Sequence, residues 1–183
     1  MFSLPPPGVE ALLLALLLGA AVYDVRYRRI PNWLSVGGVV VGLALNTFLY
    51  QGLPGLRFAA VGMAAGFGVY FLLYVLRAMG AGDVKLMAAV GAIVGWHDWV
   101  GIFLVTAFVG GAMALILVTL RGRVKKTFFN VSFIISEMKS GRPAYVGKEE
   151  LDVRSPKALG LPHGAVIAVS SIFFLALSAH FAG

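Results

Sequence analysis

Residues 58–77 read FAAVGMAAGFGVYFLLYVLR, and no charged side chain precedes Arg77 in this run. A helix needs roughly 20 apolar residues to cross a bilayer, so the run predicts a transmembrane helix. The run 84–97 is short for a full crossing, which leaves a tilted, a buried and a re-entrant helix open. Including these two, the predicted spans are 7–23, 34–50, 58–77, 84–97, 99–120 and 163–181.

The overall composition supports this interpretation. Hydrophobic residues make up 60% of the chain and charged residues 13%, whereas soluble domains have about 45–50% and about 25%. The apolar runs lack the alternation of membrane strands. We therefore predict an all-α membrane protein, with residues 1–183 forming a single integral-membrane domain. The chain has no cysteine, which excludes disulfides and thiolate metal sites.

The basic residues predict the orientation of the spans. Fourteen of the fifteen lysines and arginines fall in 24–33, 77–85 and 121–162, and Arg57 is the exception. By the positive-inside rule these three segments lie in the cytoplasm. We therefore expect a multi-pass inner-membrane protein with both termini outside. Because this rule accounts for the net charge of +7, no nucleic-acid partner is predicted.

The segment 121–162 combines an amphipathic helix with a loop. Five apolar residues recur at helical spacing and share one face: Val124, Phe128, Val131, Ile135 and Met138. Such a helix is typical of one lying in the headgroup layer, so membrane lipids are expected partners. Ser140 to Pro162 is expected to form an irregular cytoplasmic loop.

Two aspartates stand where the chain meets the cytoplasmic side. Asp24 follows the first span, and Asp83 lies in GAGDVK (80–85) between two further spans. A carboxylate at the bilayer centre costs about 2.5–3.5 kcal/mol on insertion scales, so such residues are functional candidates. Two carboxylates that meet can share a proton and activate a water molecule, as in aspartic proteases.

Structural alternatives exist for both aspartates. Asp83 precedes an apolar helix, where aspartate is a preferred N-cap. Asp24 ends the first span and could instead pair with one of the arginines that follow it. The helix dipole predicts an ionised Asp83 that acts as the base and a protonated Asp24 that acts as the acid. Gly80 and Gly82 are expected to let an extended peptide approach the backbone; Lys85 adds a positive charge nearby.

Three other polar sites have structural interpretations. His97 and Asp98 are predicted to form an outward turn between interfacial tryptophans. Asn46 is expected to hydrogen-bond between helices, and His163 to lie at the membrane interface. The histidines are scattered along the chain, and a carboxylate pair needs no metal, so we predict no metal and no cofactor.

The two aspartate motifs resemble the type IV prepilin peptidase family of GxGD intramembrane aspartic proteases. The matching elements are Asp24 followed six residues later by Ile30, Pro31 and Asn32, and GxGDxK at 80–85. The stretch LPHGA (161–165) also resembles the family's entry to its last helix. The resemblance implies that Asp24 and Asp83 are catalytic and that the residues around them shape the substrate site.

The resemblance also implies the substrate and the partners. Family members cut a leader from prepilins or pseudopilins at the cytoplasmic membrane face, after a glycine and just before the pilin's hydrophobic helix. The pilus-assembly machinery is a further expected partner. Larger members carry cysteine motifs and also methylate the product. This chain has no cysteine, so we expect a peptidase without methyltransferase activity, as in the Flp/Tad-pilus type.

Three alternatives remain open at this point. The closest is an archaeal preflagellin peptidase. Two belong to other classes, namely a subunit of a proton-coupled transporter and a non-catalytic scaffold of a pilus machine. Transport sites tend to lie near the bilayer midplane, whereas Asp24 and Asp83 are predicted to lie at one membrane edge.

Overall fold

The computed structural model describes residues 6–140 and 161–182, and every regular element in those ranges is an α-helix. The helices are α1 (Pro7–Tyr27), α2 (Asn32–Leu49), α3 (Leu53–Val75), α4 (Ala81–Leu120), α5 (Val124–Lys139) and α6 (His163–Ala182). All of these except α5 are long and apolar enough to cross a membrane. The predicted all-α membrane fold is confirmed, and the protein is a multi-pass integral membrane protein.

The helix α1 continues past the predicted span and places Asp24 in its last turn. It ends at Arg28, which adopts a left-handed conformation with φ 53° and donates its backbone N–H to the Asp24 carbonyl at 2.9 Å. Pro31 then precedes α2 in an extended conformation, which a proline favours. The short connection keeps Ile30 beside the end of α1.

The 40-residue helix α4 is broken in the middle. Gly95 has φ 76° and ψ 177°, values that lie outside the helical region. A Cβ added at Gly66 of α3 would meet both the Met87 carbonyl and Nε1 of Trp99. In a straight helix Met87 and Trp99 would be roughly 18 Å apart. The chain therefore turns back at Gly95, and the two halves of α4 lie side by side.

This reversal corrects the predicted turn. His97 and Asp98 are helical, and the turn lies at Gly95 because glycine tolerates a positive φ. Trp99 is only 3% exposed and belongs to the core, so it is not an interfacial anchor. Trp96, at 45% exposure, remains at the surface.

Glycines bring α3 into backbone contact with the first half of α4. Gly62 lies against the Gly91 carbonyl, and Gly66 lies against the Met87 carbonyl, so closely that neither could carry a Cβ without a shift. Small residues spaced by four allow this approach in membranes. The glycines Gly62, Gly66, Gly91 and Gly95 therefore form a small-residue interface between the two helices.

Asn46 fastens α2 to the same half of α4. Its Nδ2 donates to the carbonyls of Ala92 and Ile93 at 2.9 and 3.0 Å, and to Gly42 of its own helix at 3.1 Å. The side chain is 1% exposed. The carbonyls just before the break at Gly95 thus obtain a partner, and the predicted interhelical hydrogen bond of Asn46 is confirmed.

The helix α5 begins where the predicted amphipathic segment begins. Its apolar residues Val124, Phe128 and Val131 are 53%, 77% and 49% exposed, so this face is open within the described chain. The side chains of residues 135, 138 and 139 lie outside the description. The predicted loop falls mostly on residues 141–160, which also lie outside the described residues.

Candidate active site

The Asp24 side chain lies on the N-terminal turn of the last helix. Its Oδ2 accepts the backbone N–H groups of Gly164 at 2.7 Å and of Ala165 at 3.3 Å. The residue is 8% exposed. The free amides in the first turn of a helix are natural donors for a carboxylate. Helix α6 therefore holds Asp24 in place, although it lies 140 positions away along the chain.

The Asp83 side chain folds back on the start of its own helix. Its Oδ2 accepts the Gly80 backbone N–H at 3.1 Å. Gly80 is the N-cap of α4, so Asp83 is the third helical residue and not the predicted N-cap. The contact is the acidic half of a capping box. Asp83 is partly buried, and its hydrogen bond to Gly80 fixes its side chain at the N-terminal end of α4.

The fold places the two carboxylates within electrostatic range of each other. Asp24 lies close enough to Asp83 for the two side chains to interact electrostatically. Each uses Oδ2 in the backbone hydrogen bonds above, which leaves Oδ1 out of those bonds. The helix dipole was expected to favour an ionised Asp83 at a helix N-terminus and a protonated Asp24 at a helix C-terminus. This contrast is incomplete, because Asp24 also contacts the N-terminal end of α6.

Ile30 lies between the two aspartate-bearing regions. Its Cβ would be 3.3 Å from a Cβ added at Gly82, and its Cδ1 would be 2.9 Å from one added at Gly164. The Gly164 position would also be 3.1 Å from Oδ2 of Asp24. A side chain at either glycine would therefore crowd Ile30. The expected role of Gly82 in admitting a substrate backbone stays a prediction.

Asn32 and Lys85 form a polar link beside this site. Lys85 Nζ donates to Asn32 Oδ1 at 2.8 Å. Asn32 is the first residue of α2; Pro31 occupies the N-cap position, and no side chain caps the helix. The link joins the start of α2 to the first turn of α4, two residues beyond Asp83.

Sequence reasoning missed two residues at the site. Tyr70 of α3 is 1% exposed and lies within electrostatic range of Asp83. The His163 ring lies 6.4 Å from the Tyr70 ring and interacts with Asp24. His163 Nε2 is buried and has no hydrogen-bond partner among the described residues; the expected place of His163 at the membrane interface stays a prediction. The sequence contained one signal for the role of His163 at the site, namely its position directly before Gly164.

The arrangement suits acid–base chemistry on a bound water. Two carboxylates that approach each other closely can hold one proton between them, and the ionised partner can then activate water. Within residues 6–140 and 161–182, no three histidine, aspartate or glutamate side chains cluster closely enough to hold a metal ion.

Comparison with protein families gives a match over most of this site. Residues 11–115 match the model of the type IV leader peptidase family. The matched range contains Asp24, Asp83 and the residues between them, but ends before His163. No solved structure matches the chain.

Individual relatives bear a single functional name. The chain is 32% identical over 120 residues to the prepilin leader peptidase/N-methyltransferase of Burkholderia pseudomallei, covering 62% of this chain and 38% of that protein. It is 31% identical over 127 residues to the protein of that name in Escherichia coli K12, covering 66% and 56%. The counterpart in Pectobacterium carotovorum is 35% identical over 112 residues, covering 57% and 39%. The chain thus spans between about two fifths and just over half of these relatives.

Proposed function

This chain belongs to the type IV leader peptidase family, and we propose that it is an aspartic endopeptidase that removes the leader from type IV prepilins. The observation that carries the proposal is that Asp24 and Asp83 lie within electrostatic range of each other. Asp24 Oδ2 accepts a hydrogen bond from the Gly164 backbone N–H at 2.7 Å, and Asp24 interacts electrostatically with Asp83. Both aspartates lie in the terminal turn of a helix, which is where a protease acting at the membrane edge needs its catalytic residues.

In the proposed reaction the two aspartates act as one unit. The ionised carboxylate takes a proton from a water molecule, and that water attacks the carbonyl carbon of the scissile peptide bond. The protonated carboxylate donates its proton to the departing amine. Coupled carboxylates titrate as a pair, so the roles are assigned to the pair of Asp24 and Asp83 as a whole.

We further propose that the site faces the cytoplasm. The motif segments 24–33 and 77–85 carry five of the basic residues, and the intervening connection between α2 and α3 carries none before Arg57. The positive-inside rule places such segments on the cytoplasmic side of the inner membrane. The leader would then be cut before it leaves the cytoplasm. The position of the aspartates near helix ends also argues against a transport site at the midplane.

Two finer proposals concern the type of enzyme. The family's methylating members carry paired cysteine motifs, and this chain has no cysteine. We therefore propose cleavage without N-methylation and a substrate of the Flp/Tad pilus type. An archaeal-type preflagellin is the alternative substrate, and the two are distinguished by which precursor the chain processes.

The test is co-expression of the chain with a type IV prepilin, followed by mass spectrometry of the pilin N-terminus. We expect a new N-terminus directly after the glycine that precedes the apolar helix. A prepilin in which that glycine is replaced by leucine serves as the control and should stay uncut. An unprocessed panel of prepilins and preflagellins would contradict the proposed function.

A further inference from the structure

Tyr70 is a buried titratable side chain that the proposed reaction does not yet use. It lies on α3 and is only 1% exposed. A buried tyrosine usually directs its O–H at a hydrogen-bond acceptor, because an unsatisfied hydroxyl costs free energy in the interior. The side chains around Tyr70 therefore indicate what its hydroxyl does.

The packing of α3 against the first half of α4 places Tyr70 opposite Asp83. Gly66 of α3 lies against the Met87 carbonyl of α4, and a second glycine contact one turn earlier along α3 shows that the two helices are antiparallel. One helical turn further, about four residues along each helix, takes Gly66 to Tyr70 and Met87 back to Asp83. The electrostatic interaction between Tyr70 and Asp83 agrees with this register.

The other neighbours of Tyr70 come from the second half of α4 and from α6. The Phe103 ring meets the Tyr70 ring edge to face, with the centroids 6.1 Å apart. On α6 the His163 ring lies 6.4 Å away and interacts electrostatically with Asp24. Among the described residues, Tyr70 thus lies between the titratable groups Asp83 and His163, and Asp24 lies beyond His163.

We propose that Tyr70 is a positioning residue for the carboxylate pair, and that its hydroxyl donates a hydrogen bond to Asp83 in the reacting complex. This inference rests on the proposed function. Catalytic hydrogen bonds are often long without substrate and tighten only in the complex, so a phenol within electrostatic range of Asp83 suits this role. Asp83 would then have a second donor, since its Oδ2 already accepts the Gly80 backbone N–H.

This hydrogen bond has two consequences for the reaction. It restricts rotation of the Asp83 carboxylate, and it stabilises negative charge there, because a donor favours the ionised form of a carboxylate. Tyr70 therefore favours the state in which the pair holds one proton and one negative charge. Because Tyr70 is enclosed, it does not contact the substrate and should affect the chemical step and not substrate binding.

Tyr70→Phe tests the role of the hydroxyl, since it keeps the ring that packs against Phe103. With purified enzyme and a prepilin that the wild-type chain processes, we expect kcat to fall about tenfold, as the loss of a hydrogen bond to a charged group predicts. KM should stay unchanged. The acidic limb of the kcat profile should move to higher pH, because the singly ionised pair loses a donor.

Two further enzymes separate this role from a structural one. Tyr50→Phe makes the same change at a 44% exposed position at the C-terminal end of α2, and should leave kcat and the pH profile unchanged. Incorporation of 3-fluorotyrosine at position 70 keeps the hydroxyl and makes it a stronger donor. This enzyme should shift the acidic limb in the opposite direction, to lower pH, and it supplies the test if Tyr70→Phe does not fold.

The outcomes are distinguishable from those that test the proposed function. An unchanged kcat or a raised KM in Tyr70→Phe overturns the inference and leaves the proposed function intact. An acidic limb that stays in place in either enzyme altered at position 70 does the same, because a residue needed only for packing would not move it. Failure of the wild-type chain to process any prepilin overturns the proposed function itself, and this inference with it.

Discussion

Oδ2 of Asp24 accepts a 2.7 Å hydrogen bond from the backbone N–H of Gly164, in the first turn of the last helix. This hydrogen bond joins α1 to α6 and fixes the position of the Asp24 carboxylate in the last turn of α1. The candidate active site is therefore assembled from distant parts of the chain. Residues outside the two aspartate motifs should affect it as strongly as residues within them.

Gly164→Ala tests this dependence. The new Cβ would lie 2.9 Å from Ile30 Cδ1 and 3.1 Å from Oδ2 of Asp24, so the carboxylate must move. A shift of a few tenths of an ångström relieves these contacts; since a displacement of about 1 Å can cost about 10²-fold in rate, we expect a loss of up to about tenfold in prepilin processing. Gly111→Ala is the matched control, because a Cβ there meets nothing within 4 Å. Normal processing by Gly164→Ala would show that the contact is dispensable.

Substitutions at Gly82 and Ile30 should have coupled effects on the rate of processing. Gly82→Ala brings a Cβ to 3.3 Å from the Ile30 Cβ and should slow processing. Ile30→Gly removes the Cβ that the new side chain would meet, so the double variant should recover part of the loss. A double-mutant cycle of processing rates measures the coupling, and strictly additive effects would mean that Gly82 acts independently of Ile30.

Asn46→Ala should destabilise the fold without touching the site. It removes two hydrogen bonds from α2 to the carbonyls of Ala92 and Ile93. Such bonds contribute about 0.6–2 kcal/mol in membrane proteins. Unfolding in mixed detergent micelles should show a loss in that range. Thr47→Val, which removes only a bond to Leu43 of the same helix, should cost less; equal losses would contradict the bridging role.

Sidedness can be measured with single cysteines. Arg28→Cys and Ala81→Cys lie at exposed positions beside Asp24 and Asp83, and Gln51→Cys lies at the opposite end of α2. In intact cells an impermeant thiol reagent should label only Gln51→Cys; in inverted vesicles it should label the other two. Labelling of positions 28 and 81 from opposite sides would separate the two aspartates.

The product should carry an unmodified amine. Purified chain, prepilin and S-adenosylmethionine together should yield a cleaved pilin without added mass, as expected for a chain with no cysteine. A gain of one methyl group on the product would contradict the monofunctional proposal. The purified Escherichia coli relative, named as a peptidase and methyltransferase, provides the comparison.

Much of this fold was predictable because the membrane restricts it. A bilayer permits helices of a known length, so apolar runs located the spans to within a few residues. The break at Gly95 was misplaced by two residues because hydropathy is nearly uniform across it. Only backbone geometry showed that the turn needs the positive φ of a glycine.

The site was only partly predictable. The aspartates stood out because carboxylates are rare in so apolar a chain, but their partners could not be read from the sequence. The bond from Gly164 to Asp24 depends on how α6 packs against α1. Tyr70 and His163 resemble ordinary core and interfacial residues until tertiary packing brings them beside the carboxylates.

The central claim is that Asp24 and Asp83 act together in leader cleavage, and the ratio of mature to precursor pilin in Asp→Asn variants tests it most directly. Asp24→Asn and Asp83→Asn should each lower the processing rate by at least about 10²–10⁴-fold, and the double variant should be little worse than either. Asp98→Asn, three residues beyond the break in α4, should process normally. Wild-type processing by either single variant at the site would contradict the account.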